Sequence, residues 1–580
     1  MTDAAISEKP QPRLVRAMAS LRDRRMAAML ILSFSASLPY GTIVGTLTAW
    51  LTEYDIGPAV IGNFSLVTLG YAFKYLWAPA FKDPHQLPFL PIGGRRSWLI
   101  ALQGCMAVML LALALTNPSE NIALVAVVAF AIGLLSPSHD IVLDGWRIEV
   151  ARNDEDKDLM SALYQFGYKS GIFVTGFGSL LLAARFGWPV VFIMIGTFVA
   201  LTMIGSLLAP EPETVERSAG TRTSFLPSLP DGVAVPAIAI LGIGWAIALA
   251  MIGGFVWTAL IVGAEVRGST FVRQQGPWIV FLTVMLPAAL SAVLVFRYRS
   301  TPTTTSIAGS TPASLPPVAG VLFRAVFDPL MELIARLKWG AVLVVLLALS
   351  YRFTDAVWGS FAYPFYLGEN FGALGHTLDD VAIASKFFGV LATIFGAFIG
   401  AVLIAAIGRM PVFFIGGIIA AATNLLYADL AAGAVVLDGF LSATGLDFPL
   451  VVFANWAATI QPDTVLLAED QGQRMARLMV TIFAENIAGG FALVALTAYL
   501  TSVVNPKFAV MQYALLSSLT MLIGTLGRPW LGEMIEDEGF YHVFIITFWL
   551  GGVAVILSAI EWWRQSRSSP DPAPVATTPT

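Results

Sequence analysis

A chain of 580 residues that is 57% hydrophobic, only 12% charged and has a mean hydropathy of +0.76 carries about half the charged share of a soluble globular protein. It lacks the polar surface to cover so large a core in water, and its composition is that of a membrane protein. The net charge of −5 and the scattered basic residues give no nucleic-acid signature, and the single cysteine, Cys105, excludes an intrachain disulfide.

The first 25 residues are polar, and the apolar run after them, Met26 to Leu51, is too long for a signal-peptide core. It reads as a retained first span after a cytoplasmic tail, 1–25. Six spans follow one another at roughly 26–51, 59–81, 97–116, 121–145, 159–183 and 187–209, giving an N-terminal six-helix bundle over 26–209. A polar link, 210–233, leads to two uncharged apolar runs, 234–263 and 277–296. These make an inserted two-helix hairpin (234–296), expected beside the bundles rather than along a polar pathway. A second link, 297–338, is Ser/Thr/Pro-rich at first and then amphipathic. Arg324, Asp328, Glu332 and Arg336 share one face of it and Leu322, Val326, Leu330, Leu333 and Leu337 the other, which suits a helix on the membrane surface or a plain interdomain strut. The last six spans, roughly 339–367, 379–406, 411–431, 478–500, 508–527 and 541–562, form a C-terminal bundle over 339–562. It carries a periplasmic insertion near 432–473 and ends in a tail, 563–580. Each run approaches the ~20 residues a helix needs to cross the hydrocarbon. The expected fold is therefore all-α and polytopic: two six-helix bundles plus two inserted helices, about fourteen in all.

With both termini in the cytoplasm, 23 Lys and Arg fall inside and six outside, the latter including Arg528. That asymmetry sets the expected orientation.

Ionisable residues inside spans are expensive and usually functional. Asp140 and Asp144 lie one turn apart at the end of span 4. Lys169 of span 5 is at the depth of Asp140, and Lys74 of span 2 is level with Asp144. The four are candidates for proton coupling; a lock on one conformation is an equally open reading. In the second half, Arg352 and Asp355 share a face, and Lys386 and Glu485 are at comparable depth, with Asn486 beside them. Together with Tyr71, Tyr168 and Trp358, whose rings suit sugars, they are candidate substrate contacts. Aromatic belts and helix packing are the commoner use of such rings. Asp83, Arg95 and Arg96 form a candidate gating loop between spans 2 and 3. Gly41-xxx-Gly45, Gly167-xxx-Gly171 and Gly396-xxx-Gly400 are small-residue packing motifs, and Pro39 marks a break in span 1. No nucleophile–base set, metal-ligand spacing or Walker A motif appears, so neither an enzyme nor a cofactor is expected.

Several stretches resemble the muropeptide permeases of the AmpG type within the major facilitator superfamily. They include Ser35-Ala-Ser-Leu-Pro39-Tyr-Gly-Thr, Phe73-Lys74-Tyr-Leu-Trp77-Ala-Pro79, Gly93-Gly-Arg95-Arg96-Ser-Trp98 and the Asp140/Asp144/Trp146 segment. In the second half they are Tyr351-Arg-Phe-Thr-Asp355-Ala, Phe483-Ala-Glu485-Asn486-Ile-Ala-Gly489-Gly490 and Phe508-Ala-Val-Met-Gln512-Tyr. The resemblance covers nearly all twelve core spans in order; the hairpin and 432–473 are additions to it. It implies proton-driven symport of N-acetylglucosaminyl-1,6-anhydro-N-acetylmuramic acid and its peptides across the bacterial inner membrane. That activity serves peptidoglycan recycling and, in some bacteria, antibiotic resistance through β-lactamase induction. The expected partners are then muropeptide, protons and lipid, with the chain a monomer. A carrier of another polar solute, such as a peptide or acetyl-CoA, and a non-transporting membrane assembly factor remain alternatives.

Overall fold

The computed structural model describes residues 23–74, 77, 81, 85–152, 154–211, 221–230, 232–262, 266–306, 317–446, 448–452, 469–505 and 508–568. Eleven of its helices are long and apolar enough to cross a membrane. The last of these, Leu515–Arg567, is two spans run together across Gly539, whose φ of 82° breaks the helix where only glycine adopts that conformation freely. The sequence reading ended span 11 at 527; the helix continues to this glycine, so Arg528, counted there as an outside-loop cation, lies within the bundle and is 4% exposed.

Several spans depart from a regular α-helix, the two of the hairpin included (π turns at Trp257–Ile261 and Phe281–Met285). Span 1 runs from Arg24 to Gly41, passes through a π-helical turn at Thr42–Thr46, and ends as Leu47–Glu53. Pro39 has no N–H to give its own turn. Span 7 is interrupted more deeply: Gly340–Ser350, Phe353–Trp358 and Ala362–Leu367 are separated at Tyr351–Arg352 and by a 3-10 turn, Gly359–Phe361. Span 2 carries a 3-10 turn at Ser65–Thr68, and spans 5 and 8 carry π turns at Val174–Gly178 and Ala382–Phe388. Such interruptions release backbone groups for a polar pathway, and π turns are frequent at functional sites.

The small-residue motifs sit where helices touch. Gly167 and Gly171 of span 5 lie against Ser33 and Ser37 of span 1, and Gly41 against Thr175. In the second half, Gly396 of span 8 meets the Ile487 carbonyl of span 10 (Glu469–Val503), and Gly490 of span 10 meets the Thr393 carbonyl.

The linker packs inside the protein. The two carboxylates of its helix, Asp328–Leu337, do not face water: Asp328 is 1% and Glu332 6% exposed, with Arg336 exposed beyond them, while Phe323, Phe327 and Met331 are fully buried against Trp245, Leu294 and Phe225 of the hairpin and link. A short ribbon pairs β1 (Thr221–Ser224) antiparallel to β2 (Thr303–Ser306), closing the base of the hairpin. Glu332 accepts hydrogen bonds from Arg336 Nε (2.7 Å), Asn505 Nδ2 (2.6 Å) and Gln512 Nε2 (2.5 Å), and Asp328 accepts from the Phe225 amide (2.9 Å). Its own turn and neighbouring segments of the chain satisfy the two carboxylates, so the helix is a strut inside protein.

The two carboxyls of this strut respond oppositely to pH. Burial acts to raise the Glu332 carboxyl, but its three donors outweigh it and hold it below the usual range. Burial pushes Asp328 up from 3.8 to about 6 despite the Phe225 amide. A raised acid contributes stability that is present below its unfolded value and lost as pH rises through the folded one. The Asp328 contribution is therefore lost between about pH 4 and 6. Asp328→Asn, which keeps an acceptor without the charge, is expected to melt with wild type below pH 4 and a few degrees above it at pH 8, by thermal unfolding in detergent. Equal curves at pH 8 would show the carboxylate to be well solvated.

Candidate functional site

The end of the bundle that carries the linker is marked by contacts within the N-terminal half. Arg25 Nη1 donates to the Val150 carbonyl (3.0 Å) and pairs with Asp156 (2.5 Å). The side chain of Arg95 pairs with Glu149 (2.6 Å) and donates to the Phe81 carbonyl (2.6 Å). Glu211 receives the amides of Arg95 and Arg96 (2.9 and 3.2 Å), capping the start of span 3, Gly94–Leu113. Arg95 and Arg96 thus tie spans 3, 4 and 6 together; Asp83, their proposed partner in the gating loop, lies outside the described residues.

Contacts between the halves are found toward the far end. Glu536 accepts from the Ala59 amide (2.9 Å), Arg185 pairs with Asp379 (2.9 Å), and Arg528 Nη1 donates to Thr68 Oγ1 (3.0 Å). Between the two ends lie most of the candidate residues.

On the N-terminal side, Asp140 is 8% exposed within span 4, Ile122–Val150, and its Oδ1 has no hydrogen-bond partner among the described residues. Lys74 is the cation in Coulombic reach of it, with Asp144 as a repelling neighbour. Asp144 is engaged by Arg147 one turn on (3.1 Å), and Arg147 also covers the Tyr164 ring at 5.1 Å. Four tyrosines close around this pair of carboxylates. Tyr40 packs edge-on to Tyr71 (5.0 Å) and near Tyr168 (6.2 Å), Tyr168 stacks on Tyr164 (5.6 Å), and the Tyr71 hydroxyl donates to Ser136 Oγ (2.6 Å). Lys169 does not join Asp140. It is exposed, and the charge within its reach is Arg352 of the other half, so two cations face one another across the divide.

On the C-terminal side, Arg352 pairs with Asp355 as their spacing predicts (Nη2–Oδ2 3.0 Å, Nε–Oδ2 3.2 Å), both half-buried at the break in span 7. Glu485 accepts from Asn486 Nδ2 (2.9 Å) and from the Tyr427 hydroxyl (3.4 Å), which itself lies 2.9 Å from the Tyr366 hydroxyl; Asn486 Oδ1 accepts from Thr393 Oγ1 (3.0 Å). The π turn carrying Lys386 packs against the helix of Glu485. The side chains of Lys386 and Trp358 lie outside the described ones.

Sequence reasoning passed over Tyr40, Arg147, Tyr427 and Arg528. Tyr427 carried a signal, since Asn424 one turn earlier is an amide inside an apolar run; it is 3% exposed and accepts from Thr547 (3.0 Å). Arg528 lay just past the apolar run that defined its span and so looked like a loop residue.

Two helical bundles thus meet at paired and facing charges and at a cluster of tyrosines. Solved transporters share the fold. The POT family transporter PepTSo matches with a TM-score of 0.58 at 14% identity, covering 94% of this chain and 99% of that one. The nucleoside transporter NupG matches with a TM-score of 0.51 at 11% identity, covering 92% and 99%. The chain is a multi-pass helical membrane protein that shares the fold of these transporters.

Its curated relatives narrow the resemblance. The chain is 24% identical to "Putative transporter AmpG 4" of Rickettsia felis over 92% of its own length and 96% of that protein's. It is 25% identical to "Anhydromuropeptide permease" of Escherichia coli over 92% of its length and 79% of the relative's. A family described as "Acetyl-coenzyme A transporter 1" matches residues 26–183. The chain is similar to the AmpG-type permeases along nearly its whole length.

Proposed function

We propose that the protein imports anhydro-muropeptides from periplasm to cytoplasm by proton symport, acting as a monomer with both termini cytoplasmic. The observation that carries this reading is the similarity to the anhydromuropeptide permease over 92% of the chain. The site's chemistry agrees with it. An amino sugar bearing a lactyl carboxylate and an acidic peptide needs hydrogen-bonding rings, cations and a carboxylate able to take up a proton. Tyr40, Tyr71 and Tyr168 offer the first, Lys169 and Arg352 the second, and Asp140 beside Lys74 the third. A buried carboxylate that loses its cation favours the protonated form, which couples proton entry to the cation's engagement with solute.

A second reading, carriage of a coenzyme A thioester, rests on the family match over residues 26–183. Everted and right-side-out vesicles carrying the protein separate the two. Labelled anhydro-muropeptide is expected to accumulate only with an inward proton gradient, and acetyl-CoA not at all. Accumulation of acetyl-CoA alone would replace the first reading by the second.

Within this reading, Lys386 and Glu485 contact the charged groups of the peptide. Lys386→Ala is expected to weaken binding of the tripeptide-bearing muropeptide about tenfold while changing the peptide-free disaccharide little. Equal losses for both ligands would make Lys386 a structural partner of Glu485.

A further inference from the structure

Arg528 stands apart from the candidate residues as a cation deep in the far-end seam. It lies eleven residues before the Gly539 break, about 16 Å along the helix at 1.5 Å per residue. Its guanidinium is sealed by the other half of the molecule. Nη1 donates to Thr68 Oγ1 (3.0 Å), which donates to the Ser65 carbonyl (2.7 Å) and lies 3.4 Å from Thr525 Oγ1; Thr68 and Thr525 are buried. Backbone meets backbone around it. A methyl group on Gly62 would lie 2.7 Å from the Arg528 carbonyl, and one on Gly532 would overlap the Pro58 carbonyl. Pro529, the next residue, withholds a helix hydrogen bond and loosens the turn in which Arg528 sits. On the cleft side, Tyr40 of the tyrosine cluster is in Coulombic reach of the guanidinium.

The far end of the cleft opens only by parting this seam, which takes Arg528 from Thr68 and turns a poorly hydrated guanidinium toward the entering solute. Guanidinium binds carboxylate with two parallel hydrogen bonds and strongly so where water is scarce. We propose that Arg528 is a solute-binding residue of the far-end-open state: it receives the solute's carboxylate when the seam parts and latches the seam through Thr68 when it closes. The identity of the carboxylate as a muropeptide's rests on the proposed function; the latch does not.

The test uses the full chain with the exposed Cys105 replaced by Ser and Thr525→Cys as reporter, labelled by a membrane-impermeant maleimide. Arg528→Gln is expected to raise the labelling rate at least about fivefold without solute. In uptake assays it is expected to raise KM for anhydro-muropeptide about tenfold or more, with little change for a solute whose carboxylates are amidated. Arg528→Lys, which keeps the charge, is expected to fall between wild type and Gln in both assays and serves if the Gln variant fails to fold. Unchanged labelling in Arg528→Gln overturns the latch, and an unchanged KM, or an equal rise for the amidated solute, overturns the solute contact. Absence of muropeptide uptake by the unmodified protein overturns the proposed function instead, and the labelling result stands without it.

Discussion

Asp140→Asn is expected to abolish uphill accumulation of solute while leaving the protein folded in the membrane and able to exchange solute downhill. Asparagine matches the carboxyl in shape but takes up no proton. The native group is buried, with one oxygen unpartnered among the described residues and Lys74 as its cation. Asp144 had an equal claim from spacing alone. In the structure it is ion-paired to Arg147 with 42% of its side chain exposed, so Asp144→Asn is expected to slow transport severalfold without uncoupling it. Uptake with and without a proton gradient, alongside gradient-free counterflow, measures both. An Asp140→Asn protein that still concentrates solute against a gradient moves the coupling role elsewhere.

The second large effect concerns helix packing. Gly490→Leu is expected to destroy the C-terminal bundle, because the position faces the Thr393 carbonyl, a backbone group that does not yield. Overfilling a packed interior costs about 1–3 kcal/mol where side chains can adjust, and here two helices have to separate. Its neighbour Gly489 has open space where a side chain would go. Gly489→Ala is therefore expected to be neutral or to stabilise by up to about 1 kcal/mol through helix propensity. Monodispersity on size exclusion and thermal unfolding in detergent compare the pair. A well-folded Gly490→Leu protein would mean that spans 8 and 10 are not in contact through this face.

The contrast between adjacent glycines marks how far a chain can be read before it is folded. The membrane class and the six-two-six order of apolar runs follow from composition and from the ~20-residue length of the hydrocarbon. Pairs three residues apart are also legible, because a helix brings them together locally, and Arg352–Asp355 is one. The glycine motifs announced close packing because only small side chains let helix backbones touch.

What crosses from one helix to another was not legible at that level. Depth along a span suggested that Asp140 would meet Lys169; rotation of each helix about its axis instead set Lys74 beside Asp140 and turned Lys169 toward Arg352. Amphipathic spacing left the helix Asp328–Leu337 open between the membrane surface and an interdomain strut, and the donors of Asn505, Gln512 and the Phe225 amide hold it inside the protein. Hydropathy ended span 11 before Arg528, although a guanidinium inside a seam is tolerated once Thr68 of the opposite half supplies an acceptor. By itself the sequence determined the solvent of this protein, the number and order of its apolar runs and the contacts local to each helix, since these depend on residues near one another in the chain. Only the tertiary structure decided which charges face one another and where the halves touch, because those depend on the rotation and register of helices that no local spacing encodes.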